Sequence, residues 1–230
     1  MEDNTPKHVA IIMDGNRRWA RARGLEDFEG HKAGSENLEK IVEEAVKLGI
    51  KTLTVYALST ENLHERAKRE ITAILGLIAS GFKTKFKKLA KNGVRLTILG
   101  DVNGLPKNIQ KIIRSLADLY IEKESIRVNI ALNYGGRNEM VTAIKNLIKD
   151  GIKIDELNEK VVHDHLYTAG QSDPDLVIRT GGHFRVSNFL LWQTAYSEFY
   201  FSKKLWPDFS GKDLKTAVTW FKNQKRNFGK

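Results

Sequence analysis

The chain has 230 residues, 41% of them hydrophobic, and this composition fits one folded domain with an ordinary core. It contains no cysteine, which excludes a disulfide framework, a thiolate zinc site and a cysteine nucleophile. The formal net charge of +10 favours a polyanionic partner, which charge alone leaves open between nucleic acid, an anionic membrane surface and a phosphorylated small molecule. The polar first residues lack the apolar core of a signal peptide, and no window approaches the roughly 20 apolar residues of a membrane span. We therefore expect a soluble, cytoplasmic protein.

Six short apolar runs alternate with segments of helical spacing. We predict strands at Val9–Met13, Leu53–Leu58, Val94–Leu99, Val128–Leu132, Leu176–Ile178 and Phe199–Phe201. We predict helices at Gly34–Leu48, Arg66–Lys91, Lys107–Lys123, Asn138–Asp150 and Lys212–Lys225. This alternation predicts an α/β fold: one domain over residues 1–230, with a largely parallel central sheet of about six strands flanked by helices.

The second predicted helix is rich in lysine, with lysines at positions 83, 85, 87, 88 and 91. A solvated helix face is the favoured interpretation, and contact with a membrane or a nucleic acid is the alternative.

Polar side chains and glycines follow four of the predicted strands. They occupy Asp14–Arg18, Ser59–Asn62, Asn133–Arg137 and Arg179–Arg185. The carboxyl ends of parallel strands meet at one edge of a sheet, where open α/β sheets bind ligands. Glycines let backbone amides approach an anion, and guanidinium groups match phosphate oxygens, so the sequence predicts a site for one or more phosphate groups.

Each of these motifs taken alone is more often a surface charge pair or a turn, and their shared placement is what favours a site. The chain has no Walker A loop, GxGxxG fingerprint, HExxH motif or nucleophile elbow. Several familiar classes of phosphate and metal enzyme are thereby excluded.

Eight segments in order resemble the cis-prenyltransferase family, whose bacterial archetype is undecaprenyl diphosphate synthase. They are MDGNRRWA (13–20), GHKAG (30–34), STEN (59–62), NYGGR (133–137), DLVIRTGG (175–182), RVSNFLLWQ (185–193), AYSEFYF (195–201) and WPDF (206–209). The resemblance covers nearly the whole chain. It implies elongation of an allylic diphosphate, typically farnesyl diphosphate, by isopentenyl diphosphate with Z double bonds, to give a polyprenyl diphosphate precursor of a lipid carrier.

The resemblance also implies roles for individual residues. It makes Asp14 and Asn62 the catalytic residues, and it implies Mg²⁺ as cofactor, with Asp14 and Glu198 associated with the metal. It assigns Arg179, Arg185 and Ser187 to isopentenyl diphosphate. The rest of the implied substrate-binding set is Gly15, Asn16, Arg17, Arg18, Trp19, His31 and Arg66.

Further properties follow from the same resemblance. A hydrophobic product tunnel is expected between sheet and helices, with the apolar stripe at 71–86 and Ile109, Ile112 and Leu116 as candidate lining and Ala57 leaving room at its mouth. Plain core is an equally good interpretation of each of these residues. The expected partners are a second copy in a homodimer, joined through the helix before the last strand and the C-terminal tail, and transiently the inner face of the membrane, but no nucleic acid.

The chain departs from the family pattern at four places. Asp27 stands where most relatives have an arginine, Leu63 where they have a tryptophan, His183 where they have an acid, and Asn227 where a C-terminal arginine is usual. Three functions therefore stay open: an ordinary Z-type elongating synthase, a non-canonical prenyl-coupling or cyclising enzyme, and a weakly active subunit that supports a partner.

Overall fold

A computed structural model describes residues 4–65, 67–84, 86–117 and 121–225, apart from the side chains at 64, 82–84, 86–88 and 117. The described residues form a six-stranded sheet flanked by helices. The strands are β1 His8–Ile12, β2 Thr52–Ser59, β3 Val94–Leu99, β4 Ile126–Tyr134, β5 Leu176–Arg179 and β6 Glu198–Phe201. Every predicted strand is confirmed, with bounds that differ by at most two residues.

The sheet has the order β3-β4-β2-β1-β5-β6, and all neighbouring strands are parallel. The chain leaves β1 towards β2 on one side and later returns to place β5 on the other side. The loops after β1 and β5 therefore flank a topological switch point, where ligands bind in folds of this class. The predicted α/β fold with a largely parallel sheet is confirmed.

The central strands β1 and β5 are buried throughout, and most of β2 and β4 is buried too, which explains why these strands are apolar without alternation. Val9 and Ile11 of β1 belong to the larger hydrophobic core, together with residues of α2 (Asp27–Lys47) and α9 (Gly211–Lys222). Ala10 and Ile12 point to the opposite face and join a smaller core.

Helix α2 begins seven residues before its predicted start at Gly34. The two glycines Gly30 and Gly34 lower the expected helix propensity of this segment, yet close packing requires both of them. A Cβ at Gly30 would lie 2.1 Å from the carbonyl oxygen of Asn16, and one at Gly34 would lie 2.5 Å from Asn16 Oδ1. These glycines bring α2 into direct contact with the loop after β1.

The other predicted helices are present with shifted bounds. They are α4 Lys68–Thr84 and α5 Phe86–Lys91 within the predicted 66–91 segment, α6 Lys107–Ala117, α7 Gly136–Lys149 and α9. The predicted end of α6 at Lys123 is wrong, because residues 121–124 are not helical. Short helices at α1 Asn16–Arg21, α3 Thr60–Glu65, α8 Glu159–His163 and the 3₁₀ helix Trp206–Asp208 are too short for periodicity to predict.

The 3₁₀ helix anchors the second half of the chain to α2. The fully buried Trp206 donates from Nε1 to the carbonyl of Gly34 at 2.8 Å. Asn37 donates from Nδ2 to the carbonyls of Trp206 and Phe209, at 2.8 and 2.9 Å. Within the residues that the structure describes, no helix is long and apolar enough to span a membrane.

Candidate active site

Asp14 follows β1 at the switch point and connects two arginines. Its carboxylate accepts a hydrogen bond from Arg18 Nη2 at 3.0 Å and another from Arg179 Nη2, at the end of β5, at 2.9 Å. The hydroxyl of Thr180 fixes the backbone, since it accepts from the Asp14 amide at 2.9 Å and donates to the Asp14 carbonyl at 2.8 Å. One carboxylate thus joins guanidinium groups that come from two different strand ends.

Gly15 provides the turn between β1 and α1. Its φ of 113° lies in the region that favours glycine, and a Cβ there would meet Leu205 Cδ2 at 2.8 Å. The sharp turn starts α1 at Asn16 and places Arg17 and Arg18 beside the end of β1.

Arg179 is the buried hub of the site, with a side chain that is only 5% exposed. Its Nη1 donates to Ser187 Oγ at 2.7 Å and to the carbonyl of Arg185. Its Nε is buried with no hydrogen-bond partner among the described residues. A buried charged nitrogen without an acceptor is costly, so this arrangement favours an anionic ligand.

These residues surround a cleft of about 450 Å³. Its lining comprises Ile12, Met13, Asp14, Gly15, Asn16, Arg17, Arg18, Arg21, His31, Tyr56, Ala57, Leu58, Ser59, Asn62, Arg179, His183, Arg185 and Ser187. Among these described residues, five arginines face one carboxylate. The ends of β1, β2 and β5 therefore meet in one cleft with strong positive charge, as predicted, whereas the predicted segment Asn133–Arg137 after β4 does not line it.

Two carboxylates stand beside the arginines of α1. Arg17 Nε lies 4.0 Å from Asp27 Oδ2, and Arg17 Nη1 lies 3.8 Å from Glu70 Oε2. His31 Nε2 lies 3.4 Å from the other oxygen of Glu70. These contacts partly balance the positive charge on this side of the cleft.

Asn16 lies between the cleft and a second, apolar cavity of about 100 Å³. Its Oδ1 is buried without a hydrogen-bond partner among the described residues. The two cavities also share Met13, His31 and Ala57. The remaining lining of the apolar cavity is Gly34, Ser35, Leu38, Ile74, Leu77, Ile78, Gly81, Ile130 and Trp206. An apolar space therefore adjoins the charged cleft.

Comparison with known proteins places the chain among prenyltransferases. The family model described as "Putative undecaprenyl diphosphate synthase" matches residues 12–229. The chain belongs to this family. It is 47% identical to an isoprenyl transferase of Clostridium perfringens, with 100% of this chain and 92% of that protein covered.

Two further relatives have more specific names. The chain is 44% identical to a ditrans,polycis-undecaprenyl-diphosphate synthase of Pasteurella multocida described as (2E,6E)-farnesyl-diphosphate specific, over 99% of this chain and 96% of that protein. It superimposes with a TM-score of 0.94 and 36% identity on lavandulyl diphosphate synthase from Lavandula x intermedia in complex with dimethylallyl diphosphate, over 100% of both chains.

Most of the site residues expected for a prenyltransferase of this kind do line the cleft. They are Asp14, Gly15, Asn16, Arg17, Arg18, His31, Asn62, Arg179, Arg185 and Ser187. Arg66 lies outside the described residues, and so does Asn227. Of the other departures from the family pattern, His183 lines the cleft and Leu63 packs against the larger core.

Trp19, predicted to bind substrate, does not line the cleft. Its indole Nε1 donates to Asp208 Oδ1 at 2.7 Å, and Arg23 covers its ring at 4.2 Å from the ring centre. Arg23 also pairs with Asp208 at 3.2 Å. Trp19 therefore fastens α1 to the 3₁₀ helix, and it contributes to the site by holding α1 in place.

Glu198, predicted to share a metal with Asp14, lies at the opposite end of the sheet. In the parallel register Glu198 is level with Leu176, which is level with Val9, five positions before Asp14. At about 3.3 Å per residue this separates them by roughly 16 Å. The two carboxylates therefore do not share an ion within one chain. Strand direction and register decide this, and the motif alone does not reveal them.

Four polar lining residues are absent from the predicted set of site residues: Arg21, Tyr56, Ser59 and His183. Tyr56 stacks on Phe189 at 4.6 Å between ring centres, and burial raises its pKa, so its hydroxyl stays protonated. Arg21 follows Arg17 and Arg18 by four and three residues. That spacing places it on the same helix face, a signal that becomes usable once α1 is known to be a helix.

Proposed function

We propose that this protein condenses isopentenyl diphosphate with an allylic diphosphate, farnesyl diphosphate in the first instance, and extends it with Z double bonds to a polyprenyl diphosphate. The family membership and the farnesyl-specific relative support this proposal. The observation that carries it is the position of Asp14, whose carboxylate joins Arg18 on one side of the cleft to Arg179 on the other. One diphosphate can therefore bind on each side of this acidic group.

The α1 side of the cleft suits the allylic diphosphate. Arg17, Arg18 and His31 line this side, which adjoins the apolar cavity. Breaking the allylic C–O bond develops negative charge on the leaving diphosphate, and preorganised cationic donors lower that barrier. Arg18 is also fixed by donation from Nη1 to the Gly181 carbonyl at 2.8 Å, so it needs little reorganisation.

The β5 side suits isopentenyl diphosphate. Arg179 aligns Ser187 and the Arg185 backbone through its Nη1, and all three residues line the cleft. Holding the second diphosphate there would orient its alkene towards the allylic carbon, which makes the attack effectively intramolecular. Proton removal after the attack completes the step.

The donor set at Asp14 fits the Mg²⁺ that we propose as cofactor. Mg²⁺ in phosphate-handling enzymes keeps several waters and is held by one or two carboxylates together with substrate phosphates. Asp14 supplies the carboxylate on the cleft wall, and Glu198 is too distant within the same chain to add a second. When bound, the ion would neutralise charge on the diphosphate.

The apolar cavity is the proposed start of the product tunnel. Ala57 lines both the cleft and this cavity, so a small side chain stands at their junction. Ile74, Leu77 and Ile78 of α4 form one wall. A growing hydrocarbon gains free energy by leaving water for such a lining.

Turnover with defined substrates tests the proposal. Purified protein is incubated with farnesyl diphosphate, labelled isopentenyl diphosphate and Mg²⁺. The products are separated by chromatography, and their masses are measured by mass spectrometry. We expect a ladder of C5 additions that disappears on chelation with EDTA and returns with added Mg²⁺. A product formed from dimethylallyl diphosphate alone would point to a coupling or cyclising enzyme. If no allylic primer is turned over, the protein is instead an inactive subunit that supports a partner.

We also propose a homodimer. Three apolar side chains on α7, Val141, Ile144 and Ile148, follow helical spacing and are at least half exposed. Within the described residues no helix lies between β5 and β6, so α7 is the nearest long helix before the last strand. The expected contact through the C-terminal tail falls on residues 226–230, outside the described range. The proposed membrane contact through lysines 83–88 likewise depends on side chains outside that range.

A further inference from the structure

Arg21 and Asp27 form a bidentate ion pair at the rim of the cleft. Arg21 Nε donates to Asp27 Oδ1 at 2.8 Å, and Arg21 Nη2 donates to Asp27 Oδ2 at 2.7 Å. The Arg21 side chain is 63% exposed and lines the cleft, whereas Asp27 is not among the lining residues. Asp27 therefore contacts Arg21 from outside the cleft.

The geometry leaves one edge of the Arg21 guanidinium available. A guanidinium has two edges that can bind an oxyanion in parallel, one through Nε and Nη2 and the other through Nη1 and Nη2. Asp27 occupies the first edge, and no described residue accepts a hydrogen bond from Nη1. The second edge matches a phosphate group.

The position of Arg21 indicates which of the two substrates it would bind. Arg21 lies on α1 one turn after Arg17 and Arg18, on the side of the cleft that adjoins the apolar cavity. Arg185 and Ser187 belong to the loop after β5, on the far side of Asp14. A phosphate bound at Arg21 therefore belongs to the substrate that carries the hydrocarbon.

We propose that Arg21 is a further binding residue for the allylic diphosphate and that Asp27 is its positioning residue. This inference rests on the proposed function of the cleft. An exposed arginine at a helix end samples many rotamers, and a bidentate carboxylate selects one of them before the substrate arrives, which reduces the entropy lost on binding. Hydrogen bonds from Arg21 lower the pKa of Asp27, so the carboxylate stays ionised and the pair persists at neutral pH.

The opposite hypothesis assigns Asp27 an inhibitory role. Asp27 also lies 4.0 Å from Arg17, so on this hypothesis its carboxylate competes with the diphosphate for both arginines. The two hypotheses predict opposite signs when Asp27 is removed. If Asp27 competes with the diphosphate, its removal tightens binding of the diphosphate. If Asp27 positions Arg21, its removal weakens that binding.

Calorimetric binding of farnesyl diphosphate, without isopentenyl diphosphate so that no elongation occurs, tests the proposal. We expect Arg21→Gln to weaken binding about tenfold, as for the loss of one charge-assisted contact. Asp27→Ala should weaken it about threefold, with no additional effect in the Arg21→Gln background. Arg114→Gln is the matched control, because Arg114 is an exposed arginine on α6, outside the cleft and away from α1, and the variant should bind like wild type.

Steady-state kinetics separates this inference from the proposed function. The KM for farnesyl diphosphate should rise in both variants, while kcat and the KM for isopentenyl diphosphate stay within about twofold. Tighter binding in Asp27→Ala, or unchanged binding in Arg21→Gln, overturns the inference while elongation by wild type still stands. If wild type binds farnesyl diphosphate without elongating it, the proposed function fails and the binding comparison still decides the inference; if wild type does not bind it, both fail.

Discussion

At the scale of single residues, the proposed function gives Asp14 both a structural and a chemical task. Its side chain is 25% exposed, so it is reachable from the cleft although it pairs with Arg18 and Arg179. Those pairs balance positive charges that would otherwise repel each other across the strand ends. Under the proposed function, a bound substrate diphosphate would take over that balancing role, and the carboxylate would be available to hold the proposed Mg²⁺.

The substitution Asp14→Asn tests this double role. The amide keeps the size of the side chain but loses the charge that balances Arg18 and Arg179. We therefore expect kcat to fall by about a thousandfold and the melting temperature to fall by a few degrees, with the secondary structure retained. Product formation and circular dichroism are the two measurements. Asp155→Asn, at an exposed aspartate outside the cleft, is the control. Turnover near the wild-type value in Asp14→Asn would contradict the proposed mechanism.

His8 is fully buried at the start of β1, and this burial keeps it neutral. Its Nδ1 lies 2.6 Å from the Ser172 carbonyl and must donate to it, while Nε2 lies 2.7 Å from Thr54 Oγ1. Asn129 donates to the same Thr54 oxygen at 2.9 Å, so the Thr54 proton is directed to the unprotonated His8 Nε2. Burial lowers the pKa of His8 from 6.5 to about 4.

This shift predicts a loss of stability in acid. Because the unfolded chain binds a proton at His8 near pH 6.5 and the folded chain only near pH 4, the stabilisation is complete above pH 6.5 and declines as the pH falls towards 4. Between pH 7 and pH 4.5 we expect wild type to lose about 2 kcal/mol of unfolding free energy through this group. Urea unfolding at both pH values measures it. His8→Gln should lose less than wild type, and an equal decline would contradict the assignment to His8.

At the scale of elements, Asn188 connects the loop after β5 to two other elements. Its carbonyl accepts from the Gly136 amide at 2.7 Å, and its Oδ1 accepts from the Arg137 amide at 2.9 Å, which satisfies two donors in the first turn of α7. Its Nδ2 donates to Glu61 of α3 at 2.7 Å. These bonds hold residues 187, 188 and 190 at φ angles of 49°, 63° and 47°, a conformation that costs non-glycine residues about 1 kcal/mol each.

Two substitutions at this position separate backbone strain from hydrogen bonding. Asn188→Gly tolerates the left-handed backbone but loses the side-chain bonds, and Asn188→Ala loses the bonds and adds strain. We expect the KM for isopentenyl diphosphate to rise in both and further in Asn188→Ala, because Arg185 and Ser187 lose their fixed position. The KM for farnesyl diphosphate is the internal control and should stay within about twofold. Equal shifts for both substrates would place the effect elsewhere in the cleft.

The spacing of apolar residues predicts those helices and strands that are long enough to show a repeating pattern. Six strands and the longer helices follow from apolar spacing, and the clustering of Asp14, Asn62 and Arg179 follows from the rule that parallel strands end at one edge. The early start of α2 cannot be predicted in this way, because Gly30 and Gly34 lower the helix propensity of its first residues. Only the structure shows that both glycines pack directly against Asn16. The distance of Glu198 from Asp14 also escapes prediction, because it depends on strand register.

At the scale of the whole molecule, positive charge and exposed apolar surface lie in different places. Five of the described arginines line the cleft at the carboxyl edge of the sheet, whereas α7 presents Val141, Ile144 and Ile148 to solvent. Ile148 is 74% exposed, although Ala143 and Leu147 on the inner side of the same helix are buried. A helix that is apolar on two faces requires two partners, and the sheet provides only one.

A second copy of the chain is the partner that we propose for the outer face of α7. A two-fold axis would pair this stripe with itself, so one charged substitution is introduced twice at the interface. We therefore expect Ile144→Glu to convert a dimer to a monomer in sedimentation equilibrium, with little loss of secondary structure. Val46→Glu is the matched control, because Val46 is an exposed apolar residue on α2, outside the stripe, and it should leave the dimer intact. A dimer that survives Ile144→Glu would place the interface elsewhere. Elongation by the monomeric variant would show that one chain contains every residue that the reaction needs.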